Sequence, residues 1–163
     1  MKTINREKLK KYALDYLNKY ASSKKNLEMI LLKRTRKYGR KDKESQKWYH
    51  DEIISIINEL EKNNIINDEN FADSKIFEYL RFGKSNLSIK YNLLKKGINK
   101  ECIDKIFLKL KNENPNYELE AAIVFVRKKK LNLGNLNNKN KNLSKMARAG
   151  FNYSISIKAL NYN

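Results

Sequence analysis

Cysteine, histidine and proline each occur once, and glycine five times, in 163 residues. With Cys102 alone no disulfide can close within the chain, and a cysteine-based zinc site lacks its ligands. With His50 alone, metal sites built on paired histidines are excluded, and a Cys–His pair needs Cys102 brought in from elsewhere in the chain. The scarcity of Pro and Gly argues against many short strands joined by tight turns, so the fold class is read as all-α. Long hydrophobic runs are also missing. Stretches such as 53–57 fall far short of the roughly 20 apolar residues that span a bilayer, and residues 1–20 lack the continuous apolar segment of a signal peptide. The expectation is a soluble cytoplasmic protein without membrane association, and with no heptad repeat to suggest a coiled-coil dimer, a monomer.

Lysine and asparagine are abundant instead. Lys and Arg number 36 against 18 Asp and Glu, a formal net charge of +18. Asparagine outnumbers Asp and Glu together, a composition that AT-rich coding produces without selection on function. The charge alone is therefore weak evidence for a particular partner, although its field draws polyanions.

Apolar residues recur at helical spacing along most of the chain. Tyr49, Ile53, Ile56, Ile57 and Leu60 share one face over 48–62, Phe71, Ala72, Ile76, Tyr79 and Leu80 over 67–80, and Ile103, Ile106, Phe107 and Leu110 over 99–111. Pro115 suits the first position of a helix carrying Leu119, Ala122, Ile123 and Val126, which should end among residues 127–130. Further helices are expected over 6–19, 27–38, 88–96, 142–149 and 153–160, about nine in all. Asn67 and Asn99 read as N-caps, each preceded by an isoleucine, and Gly97 and Gly150 as left-handed helix ends. Aligning Gly97 with Gly150 superposes Ile98 on Phe151, Asn99 on Asn152, Cys102 on Ile155 and Phe107 on Leu160, an internal repeat. Three tandem three-helix repeats in an elongated array follow, over 1–64, 65–114 and 115–163. The outer two are basic, with 17 cationic against 9 acidic residues and 9 against 2, whereas the middle has 10 against 7. The stretch 131–142, with Gly134 and six Asn, reads as a loop.

No motif carries catalytic chemistry. Gly83-Lys84-Ser85 resembles the tail of a phosphate-binding loop, but Glu78 stands where that motif needs its first Gly, so a linker between helices is the better reading. Asp68, Glu69 and Asp73 cluster at a helix start, where the macrodipole accounts for Asp68 and Glu69 without a metal. No cofactor or metal and no enzymatic activity are expected. The basic runs carry more information: Lys33, Arg34, Arg36 and Lys37 near one helix end, continued by Arg40, Lys41 and Lys43; Arg127, Lys128, Lys129 and Lys130 at another; then Lys139, Lys141, Lys145 and Arg148. Such clusters suit phosphates or an acidic protein surface, though helix ends attract cations through their dipoles in any case.

Taken in order, these residues resemble a known family. Ile66-Asn67-Asp68-Glu69-Asn70-Phe71-Ala72, then Arg81 and Gly83, then Leu94-Lys95-Lys96-Gly97-Ile98, resembles the central repeat of the bacterial RecX family of recombinase regulators. Ala13-Leu14-Asp15-Tyr16-Leu17 with Ser22-Ser23 resembles the family's opening, and Arg148-Ala149-Gly150-Phe151 with Ile155 and Leu160 its closing repeat. Tyr20, Asn26 and Asn64 stand where the family frequently has Arg, Glu and Gly. The resemblance implies three tandem three-helix repeats and binding to the RecA filament on single-stranded DNA, with inhibition of filament extension, ATP hydrolysis, strand exchange and cleavage of the SOS repressor. Lys33, Arg34, Arg36, Lys37, Arg127, Lys128, Lys129, Lys130, Lys145 and Arg148 would then form a surface for RecA and for single- or double-stranded DNA. The alternative is a stand-alone helical DNA-binding module.

Overall fold

The computed structural model describes residues 4–36, 43–132 and 136–162, and among them it contains nine helices and no strand. These are α1 (Arg6–Lys19), α2 (Lys24–Thr35), α3 (Lys43–Lys62), α4 (Asp68–Arg81), α5 (Asn86–Lys95), α6 (Lys100–Glu113), α7 (Tyr117–Lys129), α8 (Leu136–Arg148) and α9 (Tyr153–Asn161). The all-α reading therefore holds. By contacts the chain divides into two compact units, Met1–Phe71 with Lys96–Ile98, and Ala72–Lys95 with Asn99–Asn163.

Asparagine, whose abundance looked compositional, starts four of the helices. Asn5, Asn67, Asn99 and Asn152 each accept a hydrogen bond from a backbone N–H three residues on, at 2.7 to 3.0 Å, which satisfies one of the donors a helix start leaves free. The caps read from the sequence at Asn67 and Asn99 are in place, and Asn152 repeats the Asn99 arrangement as their alignment requires. Helix ends share a device too. Asn64, Gly83, Lys130 and Gly150 have φ of +55°, +78°, +50° and +91°, and the next residue's N–H bonds the carbonyl five positions before it, from Ile65 to Leu60, Lys84 to Tyr79, Leu131 to Val126 and Phe151 to Met146. Asn64 takes a left-handed turn because asparagine tolerates that region better than most residues.

In the first unit, α1, α2 and α3 pack on one another around Leu9, Ala13, Leu27, Leu31, Ile53, Ile56 and Leu60, all buried. Arg6 bridges α1 to α3 through Glu52 at 2.6 Å and Glu59 at 3.0 Å, and Lys10 also pairs with Glu59. The Lys10 hydrogen bond, followed by Arg6, holds the Glu59 carboxyl below its ordinary range. Asp68 on α4 accepts the Lys24 N–H at the start of α2, 2.8 Å away. Ser23 caps the same helix: its hydroxyl accepts from Asn26 N–H at 3.2 Å and donates to the Lys96 carbonyl at 2.6 Å.

In the second unit, α5 packs on α6, and α9 on α7 and α8. The core of the last three helices consists of Ala122, Val126, Leu131, Met146, Phe151, Ala159 and Leu160. Ser85 does at α5 what Ser23 does at α2, accepting from Ser88 N–H at 3.2 Å and donating to the Ala149 carbonyl at 2.6 Å. Each bonded carbonyl is followed by a left-handed glycine with no room for a side chain. A Cβ on Gly97 would lie 2.4 Å from the Lys25 side chain, and one on Gly150 would lie 2.6 Å from Ser85 Oγ. The alignment of Gly97 with Gly150 thus corresponds to a repeated three-dimensional contact, made once within each unit.

Several boundaries differ from the sequence reading, among them the start of α3, at Lys43 rather than residue 48, and the end of α2, at Thr35 rather than residue 38. Pro115 is not the first residue of α7; it lies in a turn in which Asn114 Oδ1 accepts from Asn116 N–H at 3.0 Å, and the helix starts at Tyr117. This side-chain turn competes with helix at the proline. Residues 136–142, expected as loop, belong to α8. Asn142 there is buried and donates to the Asn132 carbonyl at 2.7 Å, which links α8 to the chain just after α7. Low helix propensity is overridden because Leu143 and Met146, one turn apart, join the core. Helix α2 begins at Lys24 rather than residue 27 because Ser23 and Asp68 both satisfy its N-terminus.

Two substitutions at left-handed positions should act in opposite directions. A Cβ on Gly83 would meet the Phe125 backbone nitrogen at 2.8 Å, so Gly83→Ala should destabilise by more than about 2 kcal/mol. Lys130→Gly relieves a left-handed lysine and should stabilise by about 0.5–1 kcal/mol. Urea unfolding of both variants measures the pair.

Candidate functional site

The structure distributes the sequence-derived cations over both units. Lys33, Arg34 and Arg36 lie at the end of α2 in the first unit; Lys37, with Arg40 and Lys41, lies outside the described residues. Lys33 and Arg36 are exposed. Arg34 is half-buried, with its guanidinium 4.7 Å from the centre of the Tyr12 ring. That stacking joins α1 to α2 and gives Arg34 a structural role that a linear run of charges cannot reveal.

The other cluster falls in the second unit. Arg127, Lys128 and Lys129 form the last turn of α7, and Lys130 is its left-handed cap. Lys128 donates to the Phe82 carbonyl at 3.3 Å, with its ammonium 4.8 Å from the centre of the Phe82 ring, a ring that is 59% exposed. Lys129 instead turns toward α8. With Lys145, Arg148, Phe125, Leu131 and Ala149 it lines a cavity of about 410 Å³. Three cations chosen from two separate runs thus surround one apolar-walled space, while Arg127 and Lys130 are exposed outside it. Phe82, Phe125 and Leu131 were not singled out as functional by the sequence. Phe125 lies off the stripe read from the sequence, yet it packs on the core of the last three helices, its ring centre 5.6 Å from that of Phe151.

A second cavity of about 350 Å³ is lined by residues including Phe77, Leu80, Arg81, Glu113, Tyr117 and Glu120. Nearby, Asn86 Nδ2 donates to the Tyr117 hydroxyl at 2.6 Å, and the Tyr117 ring stacks on Phe107 with centres 6.3 Å apart. Burial raises the Tyr117 hydroxyl and the Glu118 carboxyl above their ordinary values; the Asn86 backbone N–H partly offsets this at Glu118. His50 is exposed, Cys102 is half-buried, and among the described residues no group of three His, Cys, Asp or Glu is placed to hold a metal. No described helix is long and apolar enough to cross a membrane.

No protein-family model matches the chain. It is 29% identical over 163 residues to Regulatory protein RecX of Myxococcus xanthus (strain DK1622), covering 95% of this chain and 85% of that protein. It is 43% identical over 75 residues to Regulatory protein RecX of Clostridium beijerinckii, a match covering 45% of this chain and 35% of the relative. A crystal structure of RecX from Lactobacillus salivarius superposes with a TM-score of 0.66 at 24% identity, over 96% of this chain and 95% of that one. Another crystal structure, of regulatory protein RecX, gives 0.69 at 19% identity over 92% and 68%. The resemblance read from the sequence is borne out, and the two superpositions establish the all-α fold.

Two outcomes follow from the geometry. Arg34→Ala should cost about 1 kcal/mol through lost stacking and packing, whereas Lys33→Ala and Arg36→Ala should stay within about 0.5 kcal/mol of the parent; thermal unfolding distinguishes them. Because burial raises the Glu118 carboxyl, the folded state holds that proton more tightly than the unfolded chain does. This group therefore favours folding at low pH and loses that contribution as pH rises from the ordinary carboxylate value through the raised one. Glu118→Gln should remove this component, seen as a difference in midpoint temperature that grows in the mutant's favour from about pH 4 to pH 7.

Proposed function

We propose that this chain, a member of the RecX family, regulates the RecA recombinase by binding its filament on single-stranded DNA. The observation that carries the reading is the similarity to Regulatory protein RecX over 95% of this chain and 85% of the Myxococcus protein. The chain acts as a monomeric cytoplasmic binding protein, with no cofactor and no catalysis of its own. It limits filament extension, ATP hydrolysis and strand exchange, and through them acts in DNA repair and the SOS response. Lys33, Arg36, Arg127, Lys129, Lys130, Lys145 and Arg148 supply exposed positive charge for phosphates of single- or double-stranded DNA or for acidic groups of the recombinase. A protein held against neighbouring filament subunits in one register hinders their movement through the hydrolytic cycle.

The alternative is a DNA-binding module without recombinase specificity. A recognition helix reads base edges with Arg, Asn or Gln along its exposed face. Helix α6 offers mainly Lys and acidic residues there, which favours the regulator over a sequence-reading module.

The test is ATP hydrolysis by the cognate recombinase on single-stranded DNA, titrated with this protein at near-physiological salt beside a basic protein of similar charge. Inhibition at amounts well below the recombinase, absent with the control, supports the regulator. No inhibition, or inhibition matched by the control, overturns it and leaves a general polyanion binder.

A further inference from the structure

The cavity between the C-terminal ends of α7 and α8 differs from the rest of the basic surface. Among its described lining residues, Phe125, Leu131 and Ala149 make the wall apolar, and the others, Lys129, Lys145 and Arg148, are cations. Among the described residues none of these three is drawn into an ion pair. The second cavity, by contrast, mixes Arg81 with Glu113 and Glu120 and has no such bias. Helix dipoles account for only part of the charge. Each C-terminal end carries roughly half a unit of negative partial charge, so three cations at two ends leave an excess of about two positive charges. The volume, about 410 Å³, lies within the range of small-ligand sites.

A flat apolar group with a negative charge on either side fits this arrangement, and a nucleotide unit within a strand has that form. In a duplex the base is stacked and paired and cannot enter, whereas in a single strand it is free to turn in. We propose that the cavity is a subsite for single-stranded nucleic acid, with one base against Phe125 and Leu131 and its two flanking phosphates on Lys129, Lys145 and Arg148. This rests on the DNA-contacting part of the reading above and gives it a location.

The test is anisotropy of a fluorescein-labelled oligothymidylate with the full chain and no recombinase present, so its failure is separate from failure of filament regulation in the ATPase assay. Replacing Lys129, Lys145 and Arg148 together by Gln should weaken binding at least tenfold, roughly, and flatten the salt dependence by about 1.4 logarithmic units per decade, the value for two phosphates of a single strand. The same charge removed from exposed Lys8, Lys11 and Lys19 of α1 should cost less than about threefold, because only general attraction is lost. Ala149→Leu fills the cavity without changing charge and should weaken binding several-fold, with helicity by circular dichroism matching the parent for every variant. Equal losses from the two triple variants, or parental binding by Ala149→Leu, overturn the proposal. So does an Ala149→Leu protein that binds the oligonucleotide normally but no longer binds the recombinase, which would assign the cavity to a protein anchor.

Discussion

A serine hydroxyl shared between two helix ends is the interaction on which much of the rest depends. Ser23 and Ser85 each accept from the first turn of their own helix and donate to a carbonyl just before a left-handed glycine. One small group thus satisfies a donor at a helix start and an acceptor at a helix end, both of which are costly to bury unpaired. The glycine follows from this contact: the backbone must turn left-handed, and a Cβ there would strike the serine's own helix. Neither residue can be replaced without disturbing the other.

The positive charge is divided among different tasks. Arg34 is held over Tyr12, Lys128 is held over Phe82 and hydrogen-bonded to its carbonyl, and Arg6 and Lys10 tie α1 to α3. These residues direct their charge to groups of the same chain. Lys129, Lys145 and Arg148 face a shared apolar-walled space instead. A net charge of +18 describes the far field felt by a polyanion, but only the side-chain positions separate the cations that hold the fold from those available to a partner.

Short-range features were legible where one side chain controls one nearby backbone group. Asn67 and Asn99 cap helices because their amides reach N–H groups three residues away, and that reach depends on local geometry alone. The turn at Asn114 is equally local but not legible, because a proline after an asparagine fits both a helix start and a side-chain turn. The start of α8 is hidden from the sequence for a different reason. Its Asn-rich opening has weak propensity, and Asn142 is fixed by a carbonyl ten residues earlier.

The sequence by itself determined the all-α class, most of the helices, their caps and the resemblance to the RecX family, since these rest on periodicity, on contacts within a few residues and on motif order. Tertiary structure alone decided that Ser23 and Ser85 meet carbonyls 73 and 64 residues away, and that cations from two separate runs line one cavity with Phe125 and Leu131. The reason is physical. Helix formation is governed by neighbours along the chain, whereas the convergence of distant side chains depends on how whole helices pack, and no local pattern encodes that.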